Sequence, residues 1–224
     1  ANWKNVSSKY EEQVLAAKEF DKVIYGLKPI LSSYYLHGYH CTRLTEDEIN
    51  TILSNGMTLQ NAETLKYRLE NIVSKGQIEK EIAVQLLSYN DANGDNRKNR
   101  LWFCFFPPFI AGQRGIERLF RSWGGEALYN SHENNTCTGR VLQKIGTPCI
   151  VEAYVSIKGF DGYGFELHLV DCYLARKENR LPKISYYEGC SKINIPADKV
   201  LNVIQFSNKK FIELTKCNTW NQPL

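Results

Sequence analysis

The texture of this chain changes at Leu101, and that change limits its fold more than any single motif does. Before Leu101 the apolar residues recur at helical spacing. Residues 9–27 read as an amphipathic helix carrying Tyr10, Val14, Leu15 and Val23 on one face. Thr45-Glu46-Asp47-Glu48 has the form of a capping box, and the helix it opens stops at Asn55-Gly56. Two more helices are expected over 63–74 and 77–89, followed by a polar loop from Asn90 to Asn99. From Leu101 onward the apolar residues bunch into short dense runs. Leu101–Phe106, Ala127–Tyr129, Cys149–Ile157, Phe165–Ala175 and Val200–Phe206 read as strands, and Gln113–Trp123 as a short helix ending at Gly124-Gly125. Helices early and strands late exclude a regular βαβ alternation. They predict an α+β fold, with a helical N-terminal half packed on a mixed, mostly antiparallel sheet.

Composition narrows the function classes. With 224 residues, 43% hydrophobic and 23% charged, the chain can bury a full-sized core and is not a disordered segment. Its formal net charge of +4 is too small to mark a nucleic-acid binder by itself. No eighteen-residue apolar run occurs, so no membrane span is expected. The single methionine is Met57, so an initiator removed before Ala1 or a longer parent chain is expected. The seven cysteines include no C-x-x-C pair, and most sit inside apolar runs, which predicts buried, reduced thiols and a cytoplasmic place of work.

Several chemistries lack their residues. The four histidines make no H-E-x-x-H, and no cysteine stands at ligand spacing from them, so no metal site is expected. Asp91, Asn93 and Asp95 imitate a calcium loop, but Asn96 and Trp102 stand where Gly and Glu belong. Neither a G-x-S-x-G elbow nor a glycine-rich phosphate loop is present.

Three segments stand out in order: Tyr39-His40-Cys41-Thr42-Arg43, Trp123 through Ser131, and Glu188 followed by Ile195-Pro196-Ala197-Asp198-Lys199-Val200. Together they resemble the ADP-ribosyltransferase superfamily of diphtheria-toxin-like enzymes and poly-ADP-ribose polymerases. The Tyr39 segment is similar to that family's "YHGT" strand, with Cys41 at the usual glycine. The Trp123 segment resembles its "G-x-G-[IL]-Y" strand and turn, with Ala127 at the latter glycine. The resemblance implies a split β-sheet and one catalytic domain over 1–224. Within it, 1–36 would be a helical lead-in, 37–206 the core and 207–224 a tail. It also implies NAD as substrate and a macromolecular acceptor, protein or nucleic acid. The role would be that of a microbial toxin, effector or defence enzyme, with a neutralising partner protein.

The resemblance assigns roles as well. Glu188 would stabilise the cationic ribose of the transition state, and His40 would hydrogen-bond the adenosine ribose. Thr42 would hold the nicotinamide side and Arg43 the pyrophosphate. Tyr129 would stack on the nicotinamide, with Ser131 supporting that wall. Glu126 is the rival carboxylate, because two glycines before it let the chain turn tightly into a cleft. Two other readings compete. One is a catalytically inactive NAD- or nucleotide-binding module of the same fold. The other is a nucleic-acid-binding or nucleolytic domain, suggested by Arg97-Lys98-Asn99-Arg100, Lys209-Lys210 and the many aromatics.

Overall fold

Five residues, Leu44 to Glu48, end a strand and start a helix. In the computed structural model, β1 (Tyr35–Leu44) stops as Thr45 takes an extended conformation, φ −77° and ψ 162°. Its hydroxyl then accepts from the Glu48 N–H at 3.3 Å, while the Glu48 carboxylate accepts from the Thr45 N–H at 2.8 Å. The capping box therefore forms, and α2 (Glu46–Asn55) runs until Gly56. Gly56 has φ +87°, and a Cβ there would lie 2.1 Å from the Ile195 carbonyl. Only glycine lets Met57 exchange backbone bonds with Ile195, at 2.8 and 3.0 Å.

The structure describes residues 3–182, 187–222 and 224, with the side chains of 3–11 outside that description, Tyr10 among them. The first helix is longer than expected, α1 (Trp3–Leu31). The next two match their predicted places, α3 (Ala62–Ser74) and α4 (Lys80–Ser88), and a polar loop leads to β2 (Leu101–Cys104). Helix α5 (Gly112–Arg121) follows, and β3 (Thr147–Ser156) and β6 (Val200–Gln205) fall where strands were expected.

Two expected strands are helices. Ala127–Tyr129 lies within α6 (Glu126–His132), started by the positive φ of Gly124 and Gly125 and continued by the helix formers Glu, Ala and Leu. Phe165–Ala175 lies within α8 (Phe165–Lys177). That run has no strict alternation, and its Leu and Ala, with Arg176 and Lys177 following, favour a helix once Gly164 turns the chain. With α7 (Thr138–Lys144) and α9 (Lys209–Thr215), helices occupy both halves of the chain, not chiefly the first.

The fold is α+β around a six-stranded sheet ordered β4-β5-β2-β1-β3-β6, where β4 is Phe160–Asp161 and β5 is Glu188–Ser191. Each registered strand pair is antiparallel. β1 and β3 are paired along ten residues, whereas β1 and β2 share only Tyr39 opposite Cys104. The sheet is thus two three-stranded pieces joined at one pair. One face carries the core of Leu44, Leu101, Phe103, Val151, Ala153 and Phe160. The other carries Cys41, Cys104, Ile150 and Ile204 beneath Phe120 of α5 and Phe211 of α9. A third cluster, with Leu69, Leu86, Trp123, Leu128 and Leu142, binds α3, α4, α6 and α7 together. Five cysteines are buried, Cys172 is half-buried and Cys137 exposed, and all seven are free thiols. Among the described residues no helix is long and apolar enough to cross a membrane.

Candidate functional site

The seam between β1 and β2 carries the first candidate residue. Past the Tyr39–Cys104 pair the two strands have no further register, which leaves the Trp102 carbonyl without a ladder partner on that side. His40 takes that place, with its Nδ1 2.7 Å from the Trp102 oxygen. A carbonyl only accepts, so Nδ1 carries the proton and Nε2 of the neutral ring is an acceptor. Burial lowers the His40 pKa, and the Arg68 charge adds to that, against the Trp102 bond. The ring is therefore neutral near pH 7.

A cavity of about 390 Å³ opens beside His40 between β1, α2 and α3, lined also by Thr42, Gln60, Tyr67, Arg68 and Asn71. His40 and Thr42 reach it together because residues two apart on a strand share a face. Its charged wall is organised by Glu48, whose carboxylate accepts from Arg68 Nε at 2.6 Å and Trp123 Nε1 at 2.9 Å. The Arg68 guanidinium lies 4.5 Å over the Trp123 ring. Burial works to raise the Glu48 pKa, but Arg68, the Thr45 N–H and Trp123 outweigh it and hold it below the usual carboxylate value. Sequence reasoning finds only the capping role of Glu48 and misses Arg68. A signal is nonetheless present: Arg68 falls between Leu65 and Leu69, a charge inside an apolar helical stripe.

Glu188 occupies the opposite side. Residues directly across an antiparallel ladder share a face, so Tyr39, Cys104 and Glu188 form one row over three strands. By alternation His40 leaves β1 on the other side of that row, at the seam itself. The Glu188 side chain is exposed, yet the protein around it withdraws enough water to raise its pKa, and the charge of Glu126 raises it further. Glu126 stands at the first turn of α6, where Tyr129 donates to it at 3.2 Å and Arg97 lies 3.4 Å away. The structure thus brings the two carboxylates within electrostatic reach. Cys41, on the same face as Glu188, has a raised thiol pKa through its hydrogen bond with Cys104, burial and then the Cys104 and Glu188 charges.

The remaining candidates are placed differently. Tyr129 is buried, and the Arg118 guanidinium covers its ring at 4.1 Å. Ser131 is exposed on α6. Arg43 is not brought to the cavity: it donates to the carbonyls of Ile145 at 2.6 Å and Phe120 at 3.1 Å. The basic run is largely neutralised, since Arg97 pairs with Asp91 and Glu126, and Arg100 pairs with Asp161 at 2.7 Å. Among the described residues no group of three or more His, Cys, Asp or Glu side chains converges as metal ligands. No protein-family model, curated protein or solved structure matches this chain.

Proposed function

We propose that this chain is an NAD-dependent mono-ADP-ribosyltransferase that acts on a macromolecule. The observation that carries the reading is the divided sheet: one pair joins β1 to β2 and His40 fills the gap, while Glu188, two strands away on the row through Cys104, stands on the opposite face, so a dinucleotide touching both has to pass through the seam. The residues present fit part of a dinucleotide. The open Nε2 of His40 accepts from a ribose hydroxyl, and Thr42 adds a hydroxyl on the same wall. Arg43 does not fit a pyrophosphate role, because its guanidinium is spent on two backbone carbonyls.

NAD supplies an N-glycosidic bond that breaks through a cationic, oxocarbenium-like transition state. Glu188 in its ionised form stabilises that charge and orients a ribose hydroxyl. The bonding electron pair leaves with nicotinamide, and the acceptor nucleophile forms the new bond. Glu126, whose charge is felt at Glu188, is assigned as the acceptor of the nucleophile's proton. The raised pKa of Glu188 sets an acid limit on this chemistry, since a protonated carboxyl cannot stabilise a cation.

Two observations favour the inactive-module reading. The face of Tyr129 intended for nicotinamide already carries Arg118, and Cys41 stands at the family's glycine. Incubation with labelled NAD and cell lysate separates the two. Label transferred to macromolecules by wild type and lost in Glu188→Ala or Glu126→Ala supports the transferase. NAD binding without any nicotinamide release supports the inactive module.

A further inference from the structure

The face that carries Glu188 is covered by α5 and α9 over Cys41 and Ile150, but its other half is open and aromatic. Strand alternation points Tyr35, His37 and Tyr39 the same way along β1, and the register sets Tyr154 of β3 opposite His37. The rings form a chain, with His37 5.1 Å from Tyr39 and 5.9 Å from Tyr154. Tyr35 is 49% exposed and Tyr154 43%. Water-facing sides of antiparallel sheets are ordinarily polar, so a row of exposed rings calls for a ligand.

Cations flank the rings. Lys199 Nζ sits 5.1 Å from the Tyr35 ring centroid and 3.1 Å from Asp198, and Lys209 and Lys210 begin α9, Lys209 lying 3.8 Å from Glu213; these exposed pairs exchange readily for phosphate. The buried Glu152 fixes the arrangement, lying 2.9 Å from His37 Nε2 and accepting from Lys210 at 2.6 Å. Tyr39 stays protonated, its pKa raised by burial and then by Glu152. Sheet faces that present aromatic rings to water beside lysines hold unstacked bases on the rings and phosphates on the cations. A duplex has no free base faces to offer them.

We propose that this open face binds single-stranded nucleic acid, and that, on the transferase reading above, a nucleotide of that strand is the ADP-ribose acceptor. Glu188 shares the face of Tyr39 two strand spacings away, about 10 Å, with the buried Cys104 between them. A nucleotide of a strand held on the tyrosines spans that distance, around the covered Cys104, to the reacting centre. There a nucleophile of the strand bonds to the ribose C1′ as the C1′–N bond breaks. The electron pair of that bond leaves with nicotinamide, and the nucleophile's proton passes to Glu126.

The test is fluorescence anisotropy with the full chain and labelled oligonucleotides of mixed sequence, as single-stranded DNA, single-stranded RNA and duplex DNA. Saturable binding of at least one single strand is expected, with the duplex at least about tenfold weaker. Tyr35→Ala and Tyr154→Ala each weaken binding about tenfold, and Lys199→Ala flattens the salt dependence. Circular dichroism melts confirm that each variant folds. Absence of single-strand binding by wild type, or binding unaffected by both tyrosine variants, overturns the platform. A parallel NAD titration separates the two claims. NAD consumed without strand binding sinks this inference alone. Strand binding with no NAD binding sinks the transferase reading and leaves the platform standing. Label carried from NAD to protein and never to the strand overturns the acceptor assignment.

Discussion

His40 Nδ1 donates to the Trp102 carbonyl at 2.7 Å, across the gap where β1 and β2 cease to pair. One bond thus satisfies a carbonyl left over by the divided sheet and fixes the histidine tautomer. The consequence is a neutral ring whose Nε2 is an acceptor, beside the cavity that Thr42 also lines.

This predicts how ligand affinity responds to acid. Burial and then Arg68 lower the His40 pKa, so NAD affinity holds through neutral pH and falls only as pH drops below the ordinary histidine range. Titration calorimetry across a pH series checks this, and His40→Leu should lose about tenfold or more at neutral pH. The stability linkage has the same sign. The folded pKa lies below the unfolded one, so His40 contributes stability above the unfolded value and loses it as pH falls through the folded value.

Glu48 predicts an acid limit of its own. Its carboxylate accepts four bonds, two from Thr45, one from Arg68 and one from Trp123. With the folded pKa depressed, this stability is present above the unfolded carboxylate pKa and is lost as pH falls through the folded one. Glu48→Gln keeps the shape but leaves Arg68 without its anion, at a cost of about 3 kcal/mol at neutral pH. Urea unfolding at neutral and acidic pH measures it, and the gap between variant and wild type should close in acid.

Arg43 should act on stability and not on ligand affinity. Its two bonds to the Ile145 and Phe120 carbonyls tie β1 to the chain before β3 and to α5. Arg43→Met leaves both carbonyls without that donor and should cost about 2 kcal/mol. Thermal melts should show the loss while NAD affinity stays within about twofold. A large loss of affinity in a stably folded variant would return Arg43 to the pyrophosphate.

Much of the fold is legible where local chemistry decides it. Thr45 and Glu48 cap α2 because both halves of the box lie within four residues, and Gly56 ends that helix because no other residue fits under Ile195. Ala127–Tyr129 and Phe165–Ala175 pass for strands because short apolar runs have no decisive period, and the glycines before them set the helix starts. At the site, alternation within β1 puts His40 and Thr42 on one wall. The face carrying Glu188 depends on the Tyr39–Cys104–Glu188 register, which links residues distant in sequence. Arg43 shows the same limit, since its partners lie 102 and 77 residues away.

The central claim is that Glu188 is the carboxylate of an NAD-cleaving transferase, and nicotinamide release by Glu188→Gln tests it most directly. The raised Glu188 pKa means that its protonated form favours folding: this stabilisation is present below the unfolded pKa and lost as pH rises through the folded one, so the ionised carboxylate adds none near neutral pH. Glu188→Gln should therefore melt no lower than wild type at pH 7 while releasing nicotinamide about 100-fold more slowly or worse. Wild-type release with the same rate retained in a well-folded Glu188→Gln protein would contradict the account.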